Sequence, residues 1–128
     1  MKNKMKFKSK KIKVDDLVFD SKKEYQRWLE LVELEKNGDI KFLKRQVKFV
    51  LLPKQQGERA VTYIADHLYK YGEILVIEDV KSKITKKQPD YIIKRKLLKY
   101  FYVNRKTIEQ EELCRLYDVK RIYFKEYV

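Results

Sequence analysis

Residues 61–81, VTYIADHLYKYGEILVIEDVK, decide the fold of this chain. Two runs rich in β-branched and aromatic residues, 59–69 and 74–81, flank the tetrapeptide Lys70-Tyr71-Gly72-Glu73, and this pattern is typical of a tight β-hairpin. The apolar residues of the second run occupy both faces of a strand, as expected in the centre of a sheet. The sequence therefore predicts a central hairpin around which the rest of the chain is arranged.

The predicted hairpin brings acidic side chains to one face. With a two-residue turn at 71–72, Asp66 lies opposite Ile77. Asp79 and Lys81 lie on the same face as Ile77, because side chains alternate along a strand. Asp66 and Asp79 are then diagonal neighbours, about 7–8 Å apart at the backbone. A one-residue change in the turn would bring the opposite set of side chains to this face.

A helix is predicted upstream of the hairpin. Ser21 and Glu24 match a capping box, and Asn37-Gly38 is a suitable helix end. Apolar residues fall between these signals at helical spacing and predict the buried face of the helix: Tyr25, Trp28, Leu29 and Val32.

The other segments complete an α/β (α+β) pattern. Residues 42–52 alternate and predict the first strand, with Val47, Phe49 and Leu51 on one face. After the hairpin, residues 90–102 predict a second helix, 109–117 a short helix and 119–124 a closing strand. The predicted order is helix, three strands, helix and strand, with a mixed central sheet flanked by helices.

Length and charge narrow the class of protein. The chain of 128 residues fits one domain, predicted over 14–128, and residues 1–13 carry seven lysines that predict a flexible basic arm. The net charge is +13, and the sequence pI is about 9.7. Such a charge favours nucleic acid as the partner, the alternative being a surface that lysines merely solvate.

Other classes are disfavoured by composition. Cys114 is the only cysteine, so the chain cannot form an intramolecular disulfide or a cysteine zinc site, and a reducing compartment fits best. No apolar run approaches the ~20 residues that span a bilayer, so no membrane partner is expected. The basic N-terminus lacks the apolar stretch of a secretory signal. A cytoplasmic protein is expected.

The acidic face of the hairpin predicts a site. Two carboxylates within reach of each other can share a hard divalent cation, and Mg²⁺ suits oxygen ligands of this kind. A water bound there could attack a phosphodiester while Lys81 stabilises the charge that develops on the phosphate. The alternative is a simple surface ion pair between Asp79 and Lys81.

Several segments occur in an order that is found in a known group, and the resemblance runs from about Asp16 to Tyr100. The chain resembles a family of small, mostly phage- and prophage-encoded proteins of the PD-(D/E)XK nuclease superfamily, which is restriction-endonuclease-like and includes proteins similar to Holliday-junction resolvases. The segments that carry the resemblance are Phe19-Asp20-Ser21-Lys22-Lys23-Glu24, Gly38-Asp39-Ile40, Gln46, Tyr63-Ile64-Ala65-Asp66 and Glu78-Asp79-Val80-Lys81.

The resemblance implies a role for each site residue. Asp66 and Asp79 would bind Mg²⁺ or Mn²⁺, and Lys81 would position or activate the water. The Val80 carbonyl and the carboxylate of Glu24 would complete the metal site, although Glu24 has its helix cap as an alternative role. Two glutamines, Gln46 and Gln88, would be neighbours of the site. The chain departs from the family name at Ala65-Asp66, where the name has Pro-Asp.

The implied activity is that of a metal-dependent endodeoxyribonuclease in phage recombination or replication, in the cytoplasm of a bacterial host. Branched DNA, such as a Holliday junction or a flap, is the expected substrate, and paired cuts would call for a homodimer. The alternative is a nucleic-acid-binding module that has the nuclease fold but does not cleave. Basic residues of the second helix would contact phosphates: Lys94, Arg95, Lys96 and Lys99.

Overall fold

The computed structural model describes residues 11–128, and residues 1–10, most of the predicted arm, lie outside it. A 3-10 turn spans Thr85–Lys87, and a π-helical turn spans Lys99–Val103. The elements in chain order are β1 (Ile12–Val14), β2 (Leu17–Phe19), α1 (Lys22–Lys36), β3 (Lys41–Leu52), β4 (Val61–Tyr71), β5 (Ile74–Val80), α2 (Pro89–Leu98), α3 (Ile108–Tyr117) and β6 (Arg121–Tyr127).

The central sheet has the order β3-β4-β5-β6. The pairs β3–β4 and β4–β5 are antiparallel, whereas β5 and β6 are parallel. The central hairpin therefore lies inside a mixed sheet, and the predicted α/β class is confirmed. Within residues 11–128, no helix is long and apolar enough to cross a membrane.

A small hairpin precedes α1 and was not predicted. Strand β1 pairs with β2, and Lys13 is the partner of Val18. Asp15 in the connecting turn has φ 55°, a conformation that aspartate tolerates better than most residues. The predicted arm is therefore wrong at its end, since Ile12 and Lys13 belong to a strand. Strands of three residues are too short to show a hydrophobic period.

Apolar clusters cover both faces of the sheet. Residues Val47, Phe49 and Leu51 share the face predicted for them. The cluster between the sheet and helices α2 and α3 includes the buried residues Phe49, Leu75, Ile77, Tyr91 and Leu98. The cluster between the sheet and α1 includes the buried residues Leu31, Ile40, Tyr69 and Val76.

Helix α1 is rotated relative to the prediction. Its cap is as predicted, since Ser21 Oγ accepts a hydrogen bond from the Glu24 N–H at 3.1 Å. Leu29, however, is 49% exposed, and the buried positions of the helix are Glu24, Arg27 and Leu31. The predicted apolar face was wrong because the helix buries a charged side chain that has a partner on the sheet.

That partner is Glu78 of β5, which is fully buried. Arg27 Nε and Nη2 each donate a hydrogen bond of 2.8 Å to the two carboxylate oxygens of Glu78. The Tyr69 hydroxyl donates a further bond at 2.7 Å, and His67 Nδ1 lies 3.2 Å from the same carboxylate. A buried charge is tolerated only with such partners. This network fixes α1 against the centre of the sheet.

Strands β3 and β4 both rotate about their own axes at the level of Gln46 and Asp66. Ala65 packs in the cluster of α2 and α3, yet His67, two residues later, stacks on Trp28 of α1 with ring centroids 5.9 Å apart. Residues two apart on a regular strand share a face, so the strand rotates at Asp66. On β3, Gln46 has φ 51° at the corresponding level. Side chains at this level can therefore reach either side of the sheet.

Candidate active site

The turn of the central hairpin lies one residue later than predicted. Tyr71 pairs with Ile74, so the turn residues are Gly72 and Glu73. Gly72 has φ 60°, and glycine adopts this left-handed conformation without the steric cost that tyrosine would meet. The predicted turn at 71–72 was wrong for that reason.

This register places Asp66 and Asp79 opposite each other. Counted from the turn, the last regular pair joins His67 to Glu78, and Asp66 and Asp79 are the next residue on each strand. Beyond this pair, Asp79 Oδ1 accepts a hydrogen bond from the Asp66 N–H at 3.2 Å. Asp66 Oδ2 accepts one from the Val80 N–H at 2.8 Å. The predicted diagonal relation is therefore replaced by a direct one, in which carboxylates substitute for backbone carbonyls.

Asp79 lies in a rigid setting. Its side chain is almost fully buried, and its Oδ2 accepts a hydrogen bond of 2.5 Å from the Tyr63 hydroxyl. Lys81 Nζ lies 3.2 Å from the same oxygen and 4.5 Å from the ring centroid of Tyr91. The Tyr91 hydroxyl in turn donates to the carboxylate of Glu126 on β6. The lysine ammonium is thus held between a carboxylate and an aromatic face.

The two aspartates repel each other. Burial raises the pKa of Asp66 most, and the charge of Asp79 and a hydrogen bond with it raise the pKa further, to about 8. The charge of Glu24 acts in the same direction, whereas the Val80 N–H opposes it. Two adjacent buried carboxylates ionise together only when a positive ligand compensates them. The electrostatics of the pair therefore favour a cation.

Glu24 has two sets of contacts. Its Oε1 accepts a hydrogen bond from the Asp20 N–H at 2.9 Å, which belongs to the helix cap. Its Oε2 lies 3.2 Å from Gln46 Nε2, and the same amide nitrogen lies 3.3 Å from Asp66 Oδ1. Gln46 therefore links the carboxylates of Glu24 and Asp66. The sequence left the cap and the site as alternative roles for Glu24, and the geometry allows both at once.

The donor set fits a hard cation held by two acids. Within residues 11–128, no group of three or more His, Cys, Asp or Glu side chains is placed to hold a metal ion together. Mg²⁺ is commonly bound through only one or two carboxylates, with waters and substrate phosphates as its other ligands. Asp66 and Asp79 meet that requirement. Val80 and Glu24 line the adjoining cleft.

Two clefts meet at the acid pair. The larger, of about 450 Å³, is lined by Glu24 and Asp66 and by the lysines Lys11 and Lys23. The smaller, of about 250 Å³, contains Asp79, Tyr91 and Lys94. Lys81 lines both clefts. The acid pair thus borders two clefts, and each cleft carries lysines beside the acids.

The other predicted residues are dispersed. Gln88 is exposed at the N-cap of α2. Of the four basic residues predicted on α2, only Lys94 lines a cleft at the acid pair. Arg95 instead contacts Glu126 at 3.5 Å, Lys96 is exposed, and Lys99 lies over the ring of Phe124 at 5.5 Å. A basic helix therefore does not present all its charges to one surface, because successive residues point in different directions.

Three contributors to the site were not predicted from the sequence. Tyr63 and Tyr91 contact Asp79 and Lys81 across the fold, and Lys23 donates to the Lys81 carbonyl at 3.2 Å. Tyr63 and Lys23 stand inside segments that carry the resemblance, but no role was predicted for either. No local pattern marks Tyr91.

Together, the mixed sheet and the acid pair define an α/β protein with an acid–acid–lysine cluster between two clefts. Residues 4–119 match a family described as "Protein of unknown function (DUF1064)", and the chain belongs to that family. Searches among curated proteins and among solved structures found no match.

Proposed function

We propose that the protein is a metal-dependent endonuclease that hydrolyses phosphodiester bonds in DNA. The observation that carries the proposal is the direct opposition of Asp66 and Asp79, with the Lys81 ammonium 3.2 Å from Asp79, where two clefts meet. The resemblance to PD-(D/E)XK nucleases rests on the same three residues, and a restriction-endonuclease-like core is part of the proposal. The order of one helix, three strands, two helices and a strand supports it.

In this reaction the chain's own residues bind, orient and stabilise charge. Asp66 and Asp79 would hold Mg²⁺ or Mn²⁺, which when bound supplies Lewis acidity and lowers the pKa of a coordinated water. Tyr63 orients the Asp79 carboxylate through its hydrogen bond. Lys81 places a positive charge next to the phosphate, where negative charge develops in the transition state. Its contacts with Asp79 and the Tyr91 ring hold it in place before substrate binds.

The charge distribution favours a nucleic acid as substrate. The chain carries a net charge of +13. Lys23 and Lys94 lie in different clefts on the two sides of the acids, so a phosphate backbone that crosses the site meets a lysine on each side. Such contacts position DNA without reading its sequence. This supports selection by DNA structure, with a junction or flap in a phage pathway, inside a bacterial host, as the proposed setting.

Cleavage of a labelled four-way junction, a flap and a linear duplex tests the proposal. The unmodified protein is expected to cut with Mg²⁺ and not with chelator, and Asp79→Ala and Lys81→Ala are expected to lose cutting. Glu112→Ala and Lys106→Ala, which change exposed residues of the same charge, serve as matched controls and should retain it. Tight binding without cutting, under Mg²⁺ and Mn²⁺ alike, would refute the nuclease and identify a non-catalytic DNA-binding module.

The dual role of Glu24 leads to a second prediction. Glu24→Gln keeps an acceptor for the Asp20 N–H but removes the charge beside Asp66 and Arg45, so cleavage by the folded protein is expected to fall about 10–100-fold. Ser21→Ala removes the cap alone, and is expected to cost about 1 kcal/mol of stability and leave cleavage by the folded protein unchanged. Thermal unfolding and single-turnover rates measure both effects. Full activity in Glu24→Gln would leave Glu24 only its capping role.

A further inference from the structure

Beyond the level of Gln46 and Asp66, where the strands rotate, one face of the β3–β4 hairpin is left exposed by residues 11–128. Lys48 is the partner of Ile64, and Val50 is the partner of Thr62, so these side chains share one face of the sheet. Val50 is 45% exposed and Ile64 is 52% exposed. We name this the open face, and it consists of Lys48, Val50, Thr62 and Ile64.

The other face of the same strands is buried, as shown by Phe49, Leu51 and Tyr63 in the cluster of α2 and α3. Helix α1 contacts the sheet at Gln46, His67 and Glu78, which lie at or before the level where the strands rotate, and not at the exposed Val50 and Ile64. Val50 and Ile64 are thus exposed aliphatic side chains on neighbouring strands of one face, and a contiguous exposed apolar patch indicates a surface that meets a partner.

The open face adjoins the acid pair. Thr62 and Ile64 line the smaller cleft together with Asp79, Lys81 and Lys94. A polymer that is bound over Asp79 and leaves the cleft on the side of Ile64 therefore reaches the open face next. From Gln46 to Leu52 the strand extends by about 20 Å at ~3.3 Å per residue. This length corresponds to about six base pairs of duplex at ~3.4 Å each.

Charge selects nucleic acid as the occupant. Lys48 lies within the open face, and the hairpin loop beyond it adds Lys54 and Arg59 against one acid, Glu58. A second copy of this chain would bring another Lys48 and another net charge of +13 to the same surface, which like-charge repulsion disfavours. Phosphates match the lysine, and sugar and base edges match the aliphatic side chains.

We propose that the nucleic acid next to the cleavage point lies along the open face, with Lys48 on a phosphate and with Val50 and Ile64 against sugar and base surfaces. The position of the cleavage point rests on the proposed function, but the contact itself does not require cleavage. The bound segment extends about six base pairs to one side of the acid pair.

Binding by an Asp79→Ala protein, which cannot cut, tests the contact on a labelled duplex and a four-way junction. Ile64→Glu and Val50→Glu, on different strands, are expected to weaken binding at least about tenfold by placing a carboxylate against phosphates. Leu116→Glu is the matched control, because Leu116 is an aliphatic residue of α3 that is 75% exposed. The DNA affinity of this variant should not change. Lys48→Ala should reduce the slope of log affinity against log salt by about 1.

The hydroxyl-radical footprint should lose about six base pairs on one side in Ile64→Glu and not in Leu116→Glu. Equal affinity and an unchanged footprint in both glutamate variants of the open face would overturn the inference. So would a dimer that dissociates in Ile64→Glu, since a second copy would then be the occupant. An unmodified protein that shows this footprint but cuts no substrate would refute the nuclease and retain the contact.

Discussion

An Asp66→Asn protein is expected to cleave DNA at least about 10³-fold more slowly than the unmodified protein and, in chelator, to unfold at a higher temperature. The loss follows from removing one of two carboxylates that hold the cation. The gain follows from removing a carboxyl that burial and the charge of Asp79 make costly to ionise, while asparagine still offers an acceptor to the Val80 N–H. Substitutions that relieve strain at functional sites commonly gain about 0.5–2 kcal/mol.

The pH dependence of stability shows whether the higher unfolding temperature of Asp66→Asn comes from the ionisation of Asp66. Burial, followed by the charge of Asp79, raises the pKa of Asp66 from its ordinary 3.8 to about 8 in the folded protein. Metal-free protein is therefore expected to lose stability as the pH rises from about 4 through about 8, because ionisation is easier in the unfolded chain. The Asp66→Asn protein is expected to lack this pH-dependent loss of stability.

Thermal unfolding in chelator measures the expected gain in stability, and single-turnover cleavage with Mg²⁺ measures the expected loss of activity. Asp39→Asn, at an exposed position between α1 and β3, is the matched control and should change neither. An Asp66→Asn protein that is less stable and still cuts would show that the acid pair serves the fold rather than the reaction.

Arg27→Met is expected to destabilise the protein by about 3–5 kcal/mol, the largest effect on stability among the substitutions considered. Glu78 is fully buried and would lose both hydrogen bonds from the guanidinium. The charge left behind has no water to solvate it. Adding Glu78→Gln is expected to recover much of the loss, because a neutral amide still accepts from the Tyr69 hydroxyl.

The buried Arg27–Glu78 pair is also expected to make the free energy of unfolding depend on pH. Burial acts to raise the pKa of Glu78, but hydrogen bonds from Arg27, His67 and Tyr69 outweigh it and lower the pKa to about 2. The folded-state pKa lies below the ordinary 4.5, so the pair's contribution is fully present above about pH 4.5 and is lost as the pH falls toward about 2. The difference between Arg27→Met and the unmodified protein should therefore shrink on acidification.

Urea unfolding from neutral pH down to about pH 3 measures this change in the free energy of unfolding. Arg115→Met, which removes an exposed arginine of α3, is the control and should have little effect at any pH. A constant difference for Arg27→Met across this range would mean that its loss comes from packing and not from the charge of Glu78.

Local signals predicted much of the fold. The cap at Ser21, the alternation around Phe49 and the turn chemistry near Gly72 are each encoded within a few residues, which is why the order of elements could be predicted. The side shared by Asp79 and Lys81 followed from alternation alone. The turn was misplaced by one residue because Gly72 fits either of the two turn positions.

The features that could not be predicted depend on contacts between distant segments. Arg27 has the sequence character of a surface residue, and only Glu78, far along the chain, makes its burial favourable. Tyr63 and Tyr91 are indistinguishable from other core tyrosines until α2 packs against the sheet. The rotation of the strands at Asp66 is likewise visible only when β3 and β4 are paired.

That rotation has a consequence for the stoichiometry of cutting. Asp66 lines one cleft and Asp79 lines the other, so a phosphodiester bound at the acid pair adjoins both clefts. Displacement at phosphorus requires the attacking water and the departing oxygen to stand in line on opposite sides. Under the proposed activity, one chain therefore provides both approaches for one strand. Cutting two strands then requires a second chain or a second encounter, and strand breaks would appear singly when protein is limiting.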